Sequence, residues 1–163
     1  MSIHIRDAYE EVLDLLNDPS LILPLLRGGQ TVGVSLPLNK GESERGCGVR
    51  GVIHCYTGDW ETAKKFLDLG FYLGFTGVIT FPARKTNPKA TADLLEVVQK
   101  CPLDRMLVET DAPYLAPQAY RGKKCEPWMV EEVVKKIAEM RGKSFEEMIR
   151  KTEDNTKMLF FNN

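Results

Sequence analysis

Short apolar runs bounded by glycine, proline and small polar residues recur along most of the chain. Such runs, rich in β-branched and aromatic residues, are typical of strands that a parallel sheet buries on both faces. They are "SIHI" at residues 2–5, "GVIHCYTGD" at 51–59, "FYLGFTGVITF" at 71–81 and "RMLVETDAP" at 105–113. The pattern predicts four strands, the third of them interrupted by Gly74 and Gly77.

Amphipathic segments follow these runs. Gly70 and Gly142 each end one such segment, and Ser144 with Glu147 forms a capping box at the start of the last. Apolar residues recur at helical spacing in "RDAYEEVLDLL" at 6–16, "WETAKKFLDLG" at 60–70, "KATADLLEVVQKC" at 89–101, "PWMVEEVVKKIAEMRG" at 127–142 and "SFEEMIRKTEDNTKMLF" at 144–160. These segments predict five helices.

Strand alternating with helix predicts a parallel α/β fold built from right-handed crossovers. A (β/α)8 barrel typically takes about 250 residues, so four strands in this chain correspond to half of such a barrel or to an open doubly wound sheet. No glycine fingerprint for a dinucleotide follows the first strand, which argues against a Rossmann fold. We expect one domain over residues 1–163.

Residues 18–50 break the alternation. The stretch mixes apolar residues with repeated proline and glycine, and it is too long for a plain connection between two elements. Extra structure and an irregular insertion both remain open for this segment.

The overall charge gives no indication of a broad basic surface, because the sequence contains 22 basic and 23 acidic residues. A nucleic-acid substrate would therefore need a local patch or a bound metal. No apolar stretch is long enough to cross a membrane, and no charged-then-apolar leader opens the sequence. The four cysteines lack zinc-ribbon or disulfide-framework spacing. We expect a reduced, cytoplasmic protein without a membrane partner.

The two histidines of the sequence, His4 and His54, occupy matching contexts. Each follows an isoleucine at the predicted carboxyl end of a strand, and Asp111 follows the fourth strand in the same way. A single histidine beside an apolar run is usually a hydrogen-bonded core residue, but three such positions on one rim are harder to attribute to coincidence. Imidazoles with a carboxylate suit zinc or manganese, and such a metal lowers the pKa of a bound water.

Several of these segments together resemble one known family. "SIHIRDAYEEVLDLL", "GVIHCYTGD", "FYLGFTGVITF", "LVETDAPYLAP", "RGKKCEP" and "NTKMLF" are similar to the TatD family of metal-dependent hydrolases, a (β/α)8-barrel, or TIM-barrel, branch of the amidohydrolase superfamily. The resemblance covers nearly the whole chain outside residues 18–50. It implies that the visible strands are strands five to eight, the C-terminal half of a TIM-type barrel.

The resemblance also implies the site residues. It makes His4, His54 and Asp111 metal ligands, with Asp111 also the catalytic base, and it places Arg6 beside a substrate phosphate. Glu109 and Glu126 are the candidates for supporting the ligands. The family usually has asparagine before that second glutamate, and cysteine stands there in this sequence. The metal, whether Zn, Mn or Mg, stays open.

Part of the family's two-metal site is missing from the sequence. Family members carry a paired-histidine motif on strand one and a bridging glutamate on strand four, and neither motif is present. We expect self-association or a second polypeptide to complete the barrel. We also expect a half barrel alone to expose the inward face of its sheet and to behave poorly as a monomer.

The substrate class stays open between two nucleic acids. Family members are often 3′ to 5′ deoxyribonucleases, and some relatives cleave D-aminoacyl-tRNA; a truncated, inactive remnant is the third interpretation. Candidate substrate- or phosphate-binding residues are Gly74, Gly77, Arg121, Lys123 and Lys124, although bending of the strand is the simpler role for the glycines. Phe75, Tyr114 and Tyr120 are candidates for stacking on bases.

Overall fold

Four short parallel strands form one sheet in the order β1–β2–β3–β4. The computed structural model describes residues 51–83 and 85–161, with the backbone of 2–4 and the helical residues 9–10 and 13–14. The strands are β1 (Ser2–His4), β2 (Val52–His54), β3 (Tyr72–Phe75) and β4 (Met106–Val108). The predicted parallel α/β class is confirmed, whereas the segment at 18–50 lies outside the described residues.

Helices connect and follow these strands. They are α1 (Trp60–Asp68), α2 (Pro88–Lys100), α3 (Val130–Arg141) and α4 (Phe145–Phe160). Gly142 ends α3 with a φ of 60°, a left-handed conformation that glycine adopts without steric cost. The hydroxyl of Ser144 accepts from the Glu147 amide at the start of α4 (3.0 Å). The predicted ends of both helices are therefore confirmed.

The third strand is shorter than its apolar run predicts, whereas the fourth ends with its apolar run. β3 ends at Phe75, and Thr76 then caps a 3-10 turn over Gly77–Thr80. β4 ends at Val108, before both acids that follow it. Apolar composition alone therefore overextended β3, because the turn at Gly77 is apolar too.

The two faces of the sheet bury different sets of side chains. On one face Ile53, Leu73, Phe75 and Met106 are fully buried against the helices. The helices contribute Ala63, Phe66, Leu94, Val97, Val98, Val133, Val134, Ile137, Ala138 and Met148 to the same cluster. This face holds the main core and fixes the strands relative to one another.

The opposite face buries a second set of side chains. Val52, Tyr72 and Leu107 are each at most 5% exposed, and they cluster with Leu159 of α4. The expectation that a half barrel would expose its inward face to water is therefore wrong at these three strand positions. His54 stands two residues beyond Val52, so strand alternation places it on this same face.

Helix α4 is anchored to the start of β4 by a buried amide. The Asn155 side chain donates to the carbonyl groups of Leu103 (2.7 Å) and Met106 (2.8 Å). Arg141, at the end of α3, donates to the carbonyl groups of Val98 (3.1 Å) and Cys101 (2.9 Å) at the end of α2. These side chains satisfy carbonyl groups that the strand and the helix leave without backbone partners.

Within the described part of the chain, no helix is both long and apolar enough to span a membrane. Cys55, Cys101 and Cys125 are all buried, while Cys47 lies outside the described residues. The cytoplasmic location stays a prediction.

We predict that replacing Asn155 with leucine lowers the free energy of unfolding by roughly 1–3 kcal/mol, because two carbonyl groups lose their donor in a buried setting. Urea unfolding of the purified variant measures this change. Asp154→Ala, at the exposed neighbouring position, should change stability by no more than about 0.5 kcal/mol. Equal stability of Asn155→Leu and the wild type would contradict the anchoring role of Asn155.

Candidate metal centre

His4 and His54 lie side by side at the carboxyl ends of adjacent strands. Each is the last residue of its strand, and the two Cα atoms are partners in the parallel register of β1 and β2. The His54 side chain is 21% exposed, while the His4 side chain lies outside the described residues. The predicted shared rim is therefore confirmed for the two backbones, and the ligand roles stay predictions.

Glu109 reaches His54 from β4 by passing over β3. The Glu109 amide extends the ladder beyond β4 by donating to the carbonyl of Phe75 (3.0 Å). Its carboxylate lies in the space next to Gly74, where a side-chain Cβ would be 2.7 Å from Oε2 and nearer still to Cδ and Oε1. From there Glu109 Oε1 is 3.7 Å from His54 Nε2. The missing side chain of Gly74 thus makes room for a carboxylate that spans three strands.

The same carboxylate also holds the turn that follows His54. The Cys55 amide donates to Glu109 Oε1 at 2.6 Å, and Cys55 has a φ of 51° in the left-handed region that side chains rarely adopt. Cys55 Sγ lies 3.2 Å from Thr76 Oγ1, and the Tyr56 amide donates to the Gly74 carbonyl (2.9 Å). Contacts with β3 and with Glu109 therefore hold a strained residue next to the histidine.

Burial dominates the electrostatics of Glu109. It raises the pKa of Glu109 to about 7, the Cys55 amide opposes this shift, and the charge of Asp111 adds to it. Because burial penalises the charged form of Glu109, a positive charge close to it would stabilise the carboxylate. An imidazolium, a guanidinium or a divalent cation would each supply one.

Asp111 is half-buried at the start of a loop that packs closely against the turn after β3. Burial is the main cause of the raised pKa of both Cys125 and Glu109, and the charge of Asp111 adds to the shift in each case. Asp111 therefore lies near both groups. A Cβ at Gly77 would lie 2.6 Å from the Leu115 carbonyl oxygen, so only glycine permits this packing. The Gln118 amide donates to Thr80 Oγ1 at 2.8 Å and closes the contact.

Aromatic and basic side chains form the outer part of this loop. The rings of Tyr120 and Trp128 meet edge to face at 5.1 Å, and Lys123 Nζ lies 5.7 Å from the centre of the Tyr120 ring. The Arg121 guanidinium lies 4.5 Å from the centre of the Phe81 ring. We name Tyr114, Tyr120, Arg121, Lys123, Lys124 and Trp128 the aromatic-basic rim; Tyr114 is 71% and Trp128 49% exposed.

One predicted stacking residue is wrong. Phe75 is fully buried in the helix-side core, because it shares the strand face of Leu73 and points away from the rim. Trp128 was missed, although its place after Pro127 in a short turn could have indicated an exposed aromatic. Glu126 is exposed, and its carboxylate accepts a hydrogen bond from the Trp128 indole.

The roles predicted for the remaining site residues, Arg6, Gly74, Gly77 and Glu126, all stay predictions. Arg6 lies outside the described residues. Phosphate binding at Gly74 and Gly77 stays a prediction. The Glu109 carboxyl group occupies the space beside Gly74, and the loop backbone occupies the space beside Gly77. Support of the ligands by Glu126 also stays a prediction.

The described donor side chains fit a divalent cation only in part. Among the described side chains, no group of three or more histidine, cysteine, aspartate or glutamate residues is close enough to hold a metal ion. His54, Glu109 and Asp111 nevertheless provide one imidazole and two carboxyl groups at one rim, beside the strand end of His4. Such nitrogen and oxygen donors are those that zinc and manganese accept.

Comparisons with known proteins identify relatives of this chain. YcfH of Escherichia coli, named an uncharacterized metal-dependent hydrolase, is 44% identical over 77% of this chain and 44% of its own. The 3'-5' ssDNA/RNA exonuclease TatD of Pantoea vagans is 34% identical over 67% of this chain and 41% of its own. The chain thus spans about half the length of the curated relatives that it matches.

A solved structure and a family model give the same assignment. The crystal structure of YjjV, a TatD homologue from Escherichia coli, superposes on 98% of this chain and 49% of its own with a TM-score of 0.69 at 26% identity. The family model described as TatD related DNase matches residues 1–161. This chain therefore belongs to the TatD related DNase family.

Proposed function

We propose that this chain carries part of the active site of a metal-dependent hydrolase that cleaves phosphodiester bonds, of the 3′ to 5′ exonuclease kind. The observation that carries the proposal is the meeting of His54 with Glu109, near Asp111, at the carboxyl ends of parallel strands. Active sites of parallel barrels lie at that end of the strands. The exonuclease name of the Pantoea vagans relative supports the choice of substrate.

His4, His54 and Asp111 would hold the metal. A bound divalent cation supplies a water of lowered pKa and a positive charge for the phosphate oxygens. Asp111 takes the proton from the attacking water, because a half-buried carboxylate at the rim is accessible to both water and substrate. Glu109 places a carboxyl group beside His54 from its half-buried position.

The aromatic-basic rim would bind the nucleic acid leading into the site. Arg121, Lys123 and Lys124 supply three cations in an otherwise balanced sequence. Tyr114 and Trp128 expose ring surface on which unpaired bases can stack. Arg6 is proposed as a further phosphate ligand. This combination fits a single strand better than a duplex, since stacking on a side chain needs an unpaired base.

The proposal includes the four strands as strands five to eight of a (β/α)8 barrel; the match to 49% of the YjjV chain supports an assignment to about half of such a barrel. Two histidines in 163 residues cannot supply a second pair of imidazole ligands. We therefore include self-association or a second polypeptide as the source of the remaining ligands.

We predict that Asp111→Asn lowers kcat/KM for release of nucleotides from the 3′ end of single-stranded DNA by about 10²–10⁴-fold, because the amide cannot take the proton from water. Gel analysis of end-labelled DNA with added Mn²⁺ measures the rate.

Asp104→Asn is the matched control, because Asp104 is an exposed acid in the 3-10 turn before β4. It should leave the rate unchanged. Full activity of Asp111→Asn would contradict the proposed role of Asp111. Cleavage of D-aminoacyl-tRNA without any release of DNA nucleotides would favour the ester hydrolase over the nuclease.

We predict that reversing Lys123 and Lys124 to glutamate weakens binding of a single-stranded oligonucleotide. The slope of log K against log salt should flatten by about 1.4, because two phosphate contacts on a single strand are lost. Fluorescence anisotropy in EDTA measures binding without metal-dependent cleavage.

The control reverses Lys100 and Lys143, which end α2 and follow α3, and so makes the same change in net charge. Its salt slope should stay that of the wild type. Equal slopes for both double variants would show that net charge, and not the rim, determines the binding.

A further inference from the structure

We propose that Glu109 is a positioning residue for His54, and that the absence of a side chain at Gly74 allows the Glu109 carboxyl group to reach His54. The proposal deepens the proposed function, on which it rests for the role of His54 as a metal ligand. The proposal gives Gly74, in the middle of β3, a specific role in the assembly of the candidate metal centre.

The backbone of Gly74 does not itself require glycine. Gly74 lies inside β3, in register with Leu107, and its carbonyl accepts from the amide of Tyr56 (2.9 Å), two residues beyond the end of β2. The glycines with a positive φ in the described residues are Gly70, Gly122 and Gly142. Since glycine weakens a strand interior, its presence at position 74 needs another reason.

Glycine is needed at position 74 because a side chain there would leave no space for the Glu109 carboxyl group. The Glu109 carboxyl group fills the volume that a side chain at position 74 would take, with Oε2 only 2.7 Å from the Cβ position. Real Cβ atoms do not approach an oxygen so closely, so even alanine would displace the carboxylate. Tyr72, two residues earlier on the same face of β3, is buried in a cluster with Val52 and Leu107.

The position of the carboxylate determines two contacts on β2. Glu109 Oε1 accepts from the Cys55 amide at 2.6 Å and lies 3.7 Å from His54 Nε2. The first contact holds the left-handed turn that ends β2, and the second places the carboxyl group beside the imidazole. Groups that orient a ligand histidine typically contribute about 10- to 100-fold to metal affinity.

The experiment compares the wild type with Gly74→Ala, Glu109→Ala and the variant carrying both changes. Zinc affinity is measured by isothermal titration calorimetry, and the Cys55 amide proton is followed by NMR in the metal-free chain. Urea unfolding gives the stability of each variant. Gly142→Ala, at the end of α3 with open space around its Cβ position, is the control for destabilisation alone.

We expect Gly74→Ala and Glu109→Ala each to weaken zinc binding by about 10- to 100-fold and to move the Cys55 amide proton upfield, as its charge-assisted hydrogen bond is lost. The double variant should bind zinc no more weakly than Glu109→Ala. Gly74→Ala should lower the urea midpoint in the wild type but not in Glu109→Ala, where the methyl group enters vacated space. Gly142→Ala should lower the midpoint without moving the amide proton or the zinc affinity.

Two results would overturn the proposal. One is an unchanged Cys55 amide proton in Gly74→Ala; the other is an equal loss of stability from Gly74→Ala in both backgrounds. A wild-type chain that binds no zinc, manganese or magnesium would contradict the proposed function and the positioning of a metal ligand. The amide and unfolding measurements would then still decide whether Glu109 reaches β2 through Gly74.

Discussion

A half-buried carboxyl group links the ends of three neighbouring strands at the carboxyl edge of this sheet. Glu109 extends from the end of β4, passes over Gly74 in β3, and contacts both Cys55 and His54 at the end of β2. Its burial carries an energetic cost, seen in the raised pKa, which the Cys55 amide offsets in part. The candidate metal ligands depend on this arrangement, because it fixes the last residue of β2 and the turn beyond it.

The remainder of the fold supplies a rigid base for that carboxylate. The helix-side core immobilises the strands from one face, and Asn155 fixes the start of β4 from α4. The loop after Asp111 is packed against the turn after β3 through Gly77. Rigid elements therefore surround the site on the described side, as a preorganised centre requires.

The sequence was sufficient for the parallel class, the helices and the strand-end placement of His4 and His54, because each depends on local periodicity. The end of β3 could not be predicted, since the 3-10 turn at Gly77 is as apolar as a strand. The path of Glu109 and the left-handed turn at Cys55 depend on contacts between residues 54 positions apart. The error at Phe75 was avoidable, because strand alternation already pairs it with Leu73.

The most direct test of a metal centre at this rim is anomalous diffraction from crystals of the chain soaked with Mn²⁺ or Zn²⁺. We expect a peak at the carboxyl ends of β1, β2 and β4, with a zinc–nitrogen distance of about 2.0–2.1 Å to His54. A peak on other residues, or none at this rim while metal binds elsewhere on the chain, would contradict it.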